Sequence, residues 1–222
     1  MSRIIFTVFC VALTLLVSYL LGCFNGAVVI SHFIIKDDVR SHGSGNAGLT
    51  NFYRTYGAKY ALGVIALDMG KTVVAGLIGG YLFYFLRQDW TLGLLLAGVG
   101  CELGHMFPAF YGFKGGKGVL VGAVMLAFFD WRVFVIAFAL FILSVVLTKW
   151  ISLGSILGAV SFPITTWLFY RDPVLTAMAF GMAAAVVFMH RSNIGRILHG
   201  TENKFSFKSK KTIEASPDGE EK

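Results

Sequence analysis

The segment Phe113-Lys114-Gly115-Gly116-Lys117-Gly118 places two lysines among three glycines, at the junction between two apolar stretches. Glycine allows successive backbone N–H groups to converge on one point. A helix starting just after the loop adds the positive end of its dipole. Lys117 adds a full charge. The combination suits a phosphate. It is not a nucleotide P-loop, because Lys117 is followed by Gly118 and not by the hydroxyl residue that such a loop uses to hold Mg²⁺. The plainer alternative is a turn with two lysines snorkelling to a membrane surface.

Three further polar islands have the same character. The first runs from Ser41 to Arg54. Its small residues, among them Ser44, Asn46, Thr50 and Asn51, can surround an oxyanion with donors, and Arg54 can add a bidentate grip. A flexible loop between helices is the alternative. The next island, Lys149 to Ser155, ends on a serine that can donate either to a phosphate oxygen or to its own helix backbone. The last runs from His190 to Arg196 and on to Lys204. His190 and Asn193 share a helix face there at spacing i, i+3, which makes a common ligand contact plausible. Asp68 and Lys71, also i, i+3, lie inside an apolar run. Charges there are expensive and usually paired or functional. They are expected to pair with each other toward the bundle interior, with Lys71 either reaching the phosphate site or serving structure alone.

These islands must be positioned by a membrane fold. Of 222 residues, 56% are hydrophobic and 14% charged, with a mean hydropathy of +0.73. Apolar segments run roughly over 4–35, 60–86, 90–112, 119–129, 133–148, 151–170 and 174–189, and a crossing needs about 20 residues. The fourth is short, and Asp130-Trp131-Arg132 separates it from the fifth. Residues 119–148 are therefore either one long helix or two crossings. Basic residues decide for two, because seven spans put most of them on the side of Arg54 and Lys117. The expected fold is an all-α bundle of seven transmembrane helices, N-terminus outside and C-terminus cytoplasmic. One membrane domain fills 1–205, and the polar tail 206–222 reads as disordered.

The net charge of +7 belongs to loops and tail and does not imply nucleic acid. Cys10, Cys23 and Cys101 lie in apolar runs without metal-ligand spacing. Leu20-Leu21-Gly22-Cys23 resembles a lipoprotein cleavage site, but the apolar run continues past it to Ile35 and further spans follow. No G-x-S-x-G or dense carboxylate cluster supports covalent or two-metal catalysis. His32 and Asp37 match an H-x4-D acyltransferase spacing, but the residues between them close a membrane helix. What remains is a cationic, donor-rich membrane face able to hold two phosphates. Acyl or phosphoryl transfer fits it, as does a transporter of phosphorylated metabolites.

Three motifs carry a specific resemblance over nearly the whole chain. They are Gly43-Ser44-Gly45-Asn46 through Thr50-Asn51 and Arg54; Gly104-His105 through Phe107-Pro108 and Phe113 to Val119; and His190-Arg191 with Asn193-Ile194 and Arg196. In order and spacing the chain resembles the acyl-phosphate:glycerol-3-phosphate acyltransferases. The resemblance implies a bacterial membrane enzyme with a cytoplasm-facing site. Its reaction is acyl transfer from acyl phosphate to the sn-1 hydroxyl of glycerol 3-phosphate, giving lysophosphatidic acid for phospholipid synthesis. It implies no cofactor and no metal, and the lipid bilayer and a phosphate acyltransferase that can supply acyl phosphate as partners. Carried over position by position, Ser44, Arg54, Lys117, Ser155, His190 and Asn193 match substrate-contacting residues, and Gly115, Gly116 and Gly118 match the phosphate loop. Leu49, Leu120 and Val121 depart from the usual smaller residues, which bears on the acyl chain and not on the charged set. The family's substrate-assisted route gives the proton to a substrate phosphate, with His190 as the alternative base.

Overall fold

The computed structural model describes residues 3–205; the tail 206–222, expected above to be disordered, lies outside the described residues. The apolar runs form α1 (Arg3–Gly22), α2 (Gly26–Val29), α3 (Leu49–Tyr56), α4 (Ala58–Arg87), α5 (Trp90–Met106), α6 (Val119–Phe129), α7 (Trp131–Thr148), α8 (Ile151–Tyr170), α9 (Pro173–Met189) and α10 (Arg191–Leu198). No strand occurs among the described residues. The long helices carry large apolar side chains on their outer faces, such as Phe85 at 73% and Leu147 at 72% exposure. A helix apolar all round belongs in lipid, where its backbone hydrogen bonds are all made internally.

Among the described residues, five segments are long and apolar enough to cross a membrane: Arg3–Ile35, Ala58–Arg87, Trp90–Tyr111, Trp131–Thr148 and Ile151–Tyr170. The pair α9 and α10, bent by 59° at His190, makes a sixth if taken as one broken span. Helix α6 has 11 residues and covers only about 17 Å. Residues 119–148 are two helices and not one. Asp130 is extended at their junction (φ −160°, ψ 120°) and its carboxylate caps α7 by accepting the Arg132 N–H at 2.8 Å.

Helix α5 is the central post, with α1, α4, α6 and α9 against it. Small residues let the backbones close. A Cβ at Gly100 would stand 2.6 Å from the Leu15 carbonyl of α1, and one at Gly93 would stand 2.6 Å from Phe83 Cβ of α4. A core of Leu94, Leu95, Met125, Phe129, Phe162 and Met182 fills the space between α5, α6, α8 and α9.

The first apolar run, 4–35, is not one continuous α-helix. It breaks over Cys23–Asn25, and after α2 continues as a π-helical turn, Ile30–Ile35. Helix α4 stabilises the break. Lys71 Nζ donates to the Gly22 and Phe24 carbonyls, both at 3.0 Å, and Asp68 Oδ1 accepts the Gly26 N–H at 3.0 Å. A cation at the end of α1 and an anion at the start of α2 both oppose the local helix-end charge. The two side chains pair at 2.8 Å and are buried. The mutual pairing expected of Asp68 and Lys71 is therefore present, with a second duty at the break. Lys71→Met strands the Asp68 carboxylate and removes the donors from α1. It should cost about 3–5 kcal/mol, read as a lowered unfolding midpoint in detergent; an unchanged midpoint would contradict this role.

Candidate active site

The break in the first apolar run starts a chain of contacts that ends at the glycine loop. Asn25 caps α2 through Oδ1 and donates from Nδ2 to the Ala47 carbonyl at 3.0 Å. The Ala47 N–H donates to the Gly115 carbonyl at 3.3 Å. The first and second polar islands are thus stitched backbone to backbone. Within the first, Asn51 is fully committed: Oδ1 accepts the Ser44 N–H, and Nδ2 donates to the Val39 and His42 carbonyls. Asn51 therefore shapes the turn that presents Ser44, which is itself exposed.

The loop differs from the cradle expected of its glycines. The Gly115 N–H donates to the Met106 carbonyl and the Gly116 N–H to the His105 carbonyl, both at 3.1 Å. Those amides are used to fold the loop back on the end of α5. A Cβ at Gly115 would stand 2.7 Å from Pro108 Cδ, and one at Gly116 would stand 2.9 Å from the Ala47 carbonyl and closer still to His105 Nε2. Glycine is required here for close approach. Gly118, at φ +79°, turns the chain into α6. The first-turn amides of α6 precede the intrahelical ladder, as at any helix start.

Lys117 projects from this loop to the fourth island, where Nζ donates to Asn193 Oδ1. Asn193 Nδ2 donates to Glu202 Oε1 at 2.7 Å. The same carboxylate accepts Ser152 Oγ at 2.8 Å from the third island and Arg196 Nε at 2.7 Å. All four islands therefore meet at one end of the bundle. Arg54 joins through space: Glu202 and Arg196 both act on it, and its guanidinium has no hydrogen-bond or ion-pair partner among the described residues. Burial pushes the Lys117 ammonium down to about 8, with Arg196, Arg191 and Arg54 adding to the effect and Glu202 opposing it. Arg54, Lys117 and Arg196 thus share the Glu202 carboxylate, an excess of positive charge that an anionic ligand would neutralise.

His190 closes α9, buried, with Nδ1 2.8 Å from the Val186 carbonyl. A carbonyl only accepts, so the Nδ1 proton is fixed there and a neutral ring leaves Nε2 as a lone pair. Ser155 donates to the Ile151 carbonyl of its own helix at 2.9 Å, the backbone alternative of the two left open by the sequence. Lys71 is turned inward, away from the charged rim.

The loop, the cation excess and the histidine–asparagine pair reproduce the three motifs as one site. Residues 12–200 match the family model for glycerol-3-phosphate acyltransferase. The chain belongs to the glycerol-3-phosphate acyltransferase family. It is 39% identical over 197 residues to the glycerol-3-phosphate acyltransferase of Thermoanaerobacter pseudethanolicus, an overlap of 89% of this chain and 96% of that one. To the enzyme of the same name from Finegoldia magna it is 36% identical over 190 residues, 85% and 93% of the two chains. Its fold is similar to the crystal structure of PlsY, an integral membrane glycerol 3-phosphate acyltransferase, in its glycerol 3-phosphate form. The TM-score is 0.79 and the identity 32%, over 88% of this chain and 96% of PlsY. The lysophosphatidic acid form of PlsY matches with a TM-score of 0.76 at 31% identity, over 88% and 95%.

In this acyltransferase the sequence missed Glu202 as a hub. A lone acid in a basic segment reads as solvated. Its isolation among Arg191, Arg196 and Lys204 was the available signal. In sequence His105 stands out only as part of a motif, yet its imidazole lies directly behind Gly116. Gly116→Ala forces the loop away from both His105 and Ala47. A displacement near 1 Å should lower kcat/KM about 100-fold, measured on protein whose unfolding midpoint is unchanged; wild-type kinetics would show that the loop does not depend on this approach.

Proposed function

We propose that this chain transfers an acyl group from acyl phosphate to the sn-1 hydroxyl of glycerol 3-phosphate, releasing lysophosphatidic acid and phosphate. The observation that carries the reading is the cation excess around Lys117: Arg54 and Lys117 stand near Glu202, whose carboxylate is already taken by Arg196, so their charge is left for anionic substrates. The relatives are glycerol-3-phosphate acyltransferases, and PlsY, the solved neighbour, is known in glycerol 3-phosphate and lysophosphatidic acid forms.

In this reading the substrate hydroxyl oxygen attacks the acyl carbon, the carbon–oxygen bond to phosphate breaks, and phosphate leaves with its electron pair. Phosphate is a stable leaving group near neutral pH, so no strong general acid is needed. The enzyme aligns two anions that otherwise repel, and stabilises the charge on the tetrahedral oxygen. Lys117 and Arg54 supply the neutralisation, with Ser44 and the first-turn amides of α6 beside them. His190 Nε2 accepts from a glycerol hydroxyl and orients it, with Asn193 alongside. No carboxylate backs His190: its Nδ1 proton goes to the Val186 carbonyl. The hydroxyl proton therefore passes to a substrate phosphate oxygen. The site faces the cytoplasm of a bacterial membrane, with seven crossings in which α6 is a short tilted span. Residues Asn46, Thr50 and Asn51 shape the phosphate end, and Ser155 stands at the α8 edge.

Purified protein given acyl phosphate and glycerol 3-phosphate, without metal or coenzyme A, should yield lysophosphatidic acid and phosphate in equal amounts. Absence of the lipid would overturn the acyltransfer reading. Sealed-vesicle uptake of glycerol 3-phosphate without turnover would favour the transporter instead. The pH profile follows from Lys117. Its folded pKa is lowered to about 8, so the ammonium is present below that pH and lost above it. Because kcat/KM reports the free enzyme, kcat/KM for glycerol 3-phosphate should fall as pH rises through about 8, and Lys117→Arg should move that limb upward. A profile flat from pH 7 to 10 would contradict it.

A further inference from the structure

His105 carries a ring nitrogen with no hydrogen-bond partner among the described residues. The ring lies in the last turn of α5 and is 4% exposed. Lys71 Nζ is 3.0 Å from Nδ1. An ammonium can only donate, so Nδ1 accepts and the neutral imidazole holds its proton on Nε2. Asp68 Oδ1 is 3.5 Å from Nδ1 and 2.8 Å from Lys71 Nζ, so it holds the ammonium and not the ring. Among the described residues the polar contacts of the ring are therefore both at Nδ1, and Nε2 has no hydrogen-bond partner there. That nitrogen points at Gly116, into the space a side chain there would fill. Nε2 is not one of the sealed-off side-chain atoms without a partner, so it keeps accessible surface from which it can donate to a ligand oxygen at this loop.

Lys71 cannot be that ligand's partner. Its Nζ already faces the Gly22 carbonyl, the Phe24 carbonyl, His105 Nδ1 and Asp68 Oδ1, more acceptors than it has protons. Its influence on the site passes through the histidine.

We propose that His105 is a substrate-binding residue: its Nε2–H donates to a phosphate oxygen held against Gly116 and Lys117, and Lys71 with Asp68 are positioning residues that fix its tautomer. The inference rests on the reading that phosphate esters bind at this loop. A neutral donor fixes one oxygen in direction while the surrounding cations carry the charge. The phosphate is that of glycerol 3-phosphate or of acyl phosphate, and the kinetics below separate the two.

The direct test is ring ¹⁵N spectroscopy of the full-length wild-type protein, with the His105 signals assigned by their loss in His105→Gln. The expected result is an Nε2–H tautomer whose Nε2 signal shifts on adding inorganic phosphate or glycerol 3-phosphate. An Nδ1–H tautomer, or an Nε2 signal unmoved by saturating amounts of both, overturns the proposal. Kinetics give the second arm. His105→Gln sets an amide nitrogen near the Nε2 position, whereas His105→Ala leaves no donor. His105→Ala should raise KM about 10-fold or more for the substrate whose phosphate is held, with KM for the other substrate and kcat within about 3-fold, and His105→Gln should recover most of the loss. Equal impairment of the two variants at equal melting midpoints would mean a packing role and overturn the proposal. If wild-type protein forms no lysophosphatidic acid, the acyltransferase reading fails, and the phosphate-induced shift still decides the role of His105.

Discussion

The Asp68–Lys71 pair in α4 is the constraint on which the rest of the site depends. A buried pair in a membrane helix is expensive unless each charge is fully used, and here each is. Lys71 terminates α1, Asp68 starts α2, and Lys71 also holds His105. From the break so formed, Asn25 reaches Ala47, Ala47 reaches Gly115, and Gly116 folds back on His105. Residues far apart in sequence are thereby fixed to one another by hydrogen bonds to backbone groups. The glycine loop inherits its shape from that frame and not from its own flexibility.

Above the frame, the charged rim works by incompleteness. Glu202 binds Ser152, Asn193 and Arg196 and so draws α8 and α10 together. It cannot neutralise Lys117 and Arg54 as well. The surplus is unfavourable in the empty protein and favourable once anions arrive, and the partial burial that lowers the Lys117 pKa also strengthens its attraction for phosphate. The short α6 fits the same logic. It begins at the rim and ends at Asp130.

Much of this was legible in the residues. Long apolar runs fixed the main helices, and Asp130 was visible as an interruption because a carboxylate between apolar runs is a natural helix cap. The four polar islands were legible as phosphate-binding candidates from glycine, asparagine and basic residues. The break at Cys23–Asn25 was not, since Cys, Phe and Asn there are unremarkable and the break is stabilised from α4, more than forty residues away. The same holds for the amides of Gly115 and Gly116. A glycine's freedom is visible in sequence, but whether its N–H faces a ligand or its own chain depends on which carbonyl packs behind it. Asn51, a candidate phosphate donor by type, is committed to the turn for the same reason: partners seven to twelve residues distant claim its side chain first.

A crystal structure with glycerol 3-phosphate bound would test the division between frame and rim most directly. The account predicts the phosphate against Lys117, Arg54 and the start of α6, with Lys71 still on the Gly22 and Phe24 carbonyls and on His105. A Lys71 side chain released from those carbonyls and bound to the phosphate would contradict it.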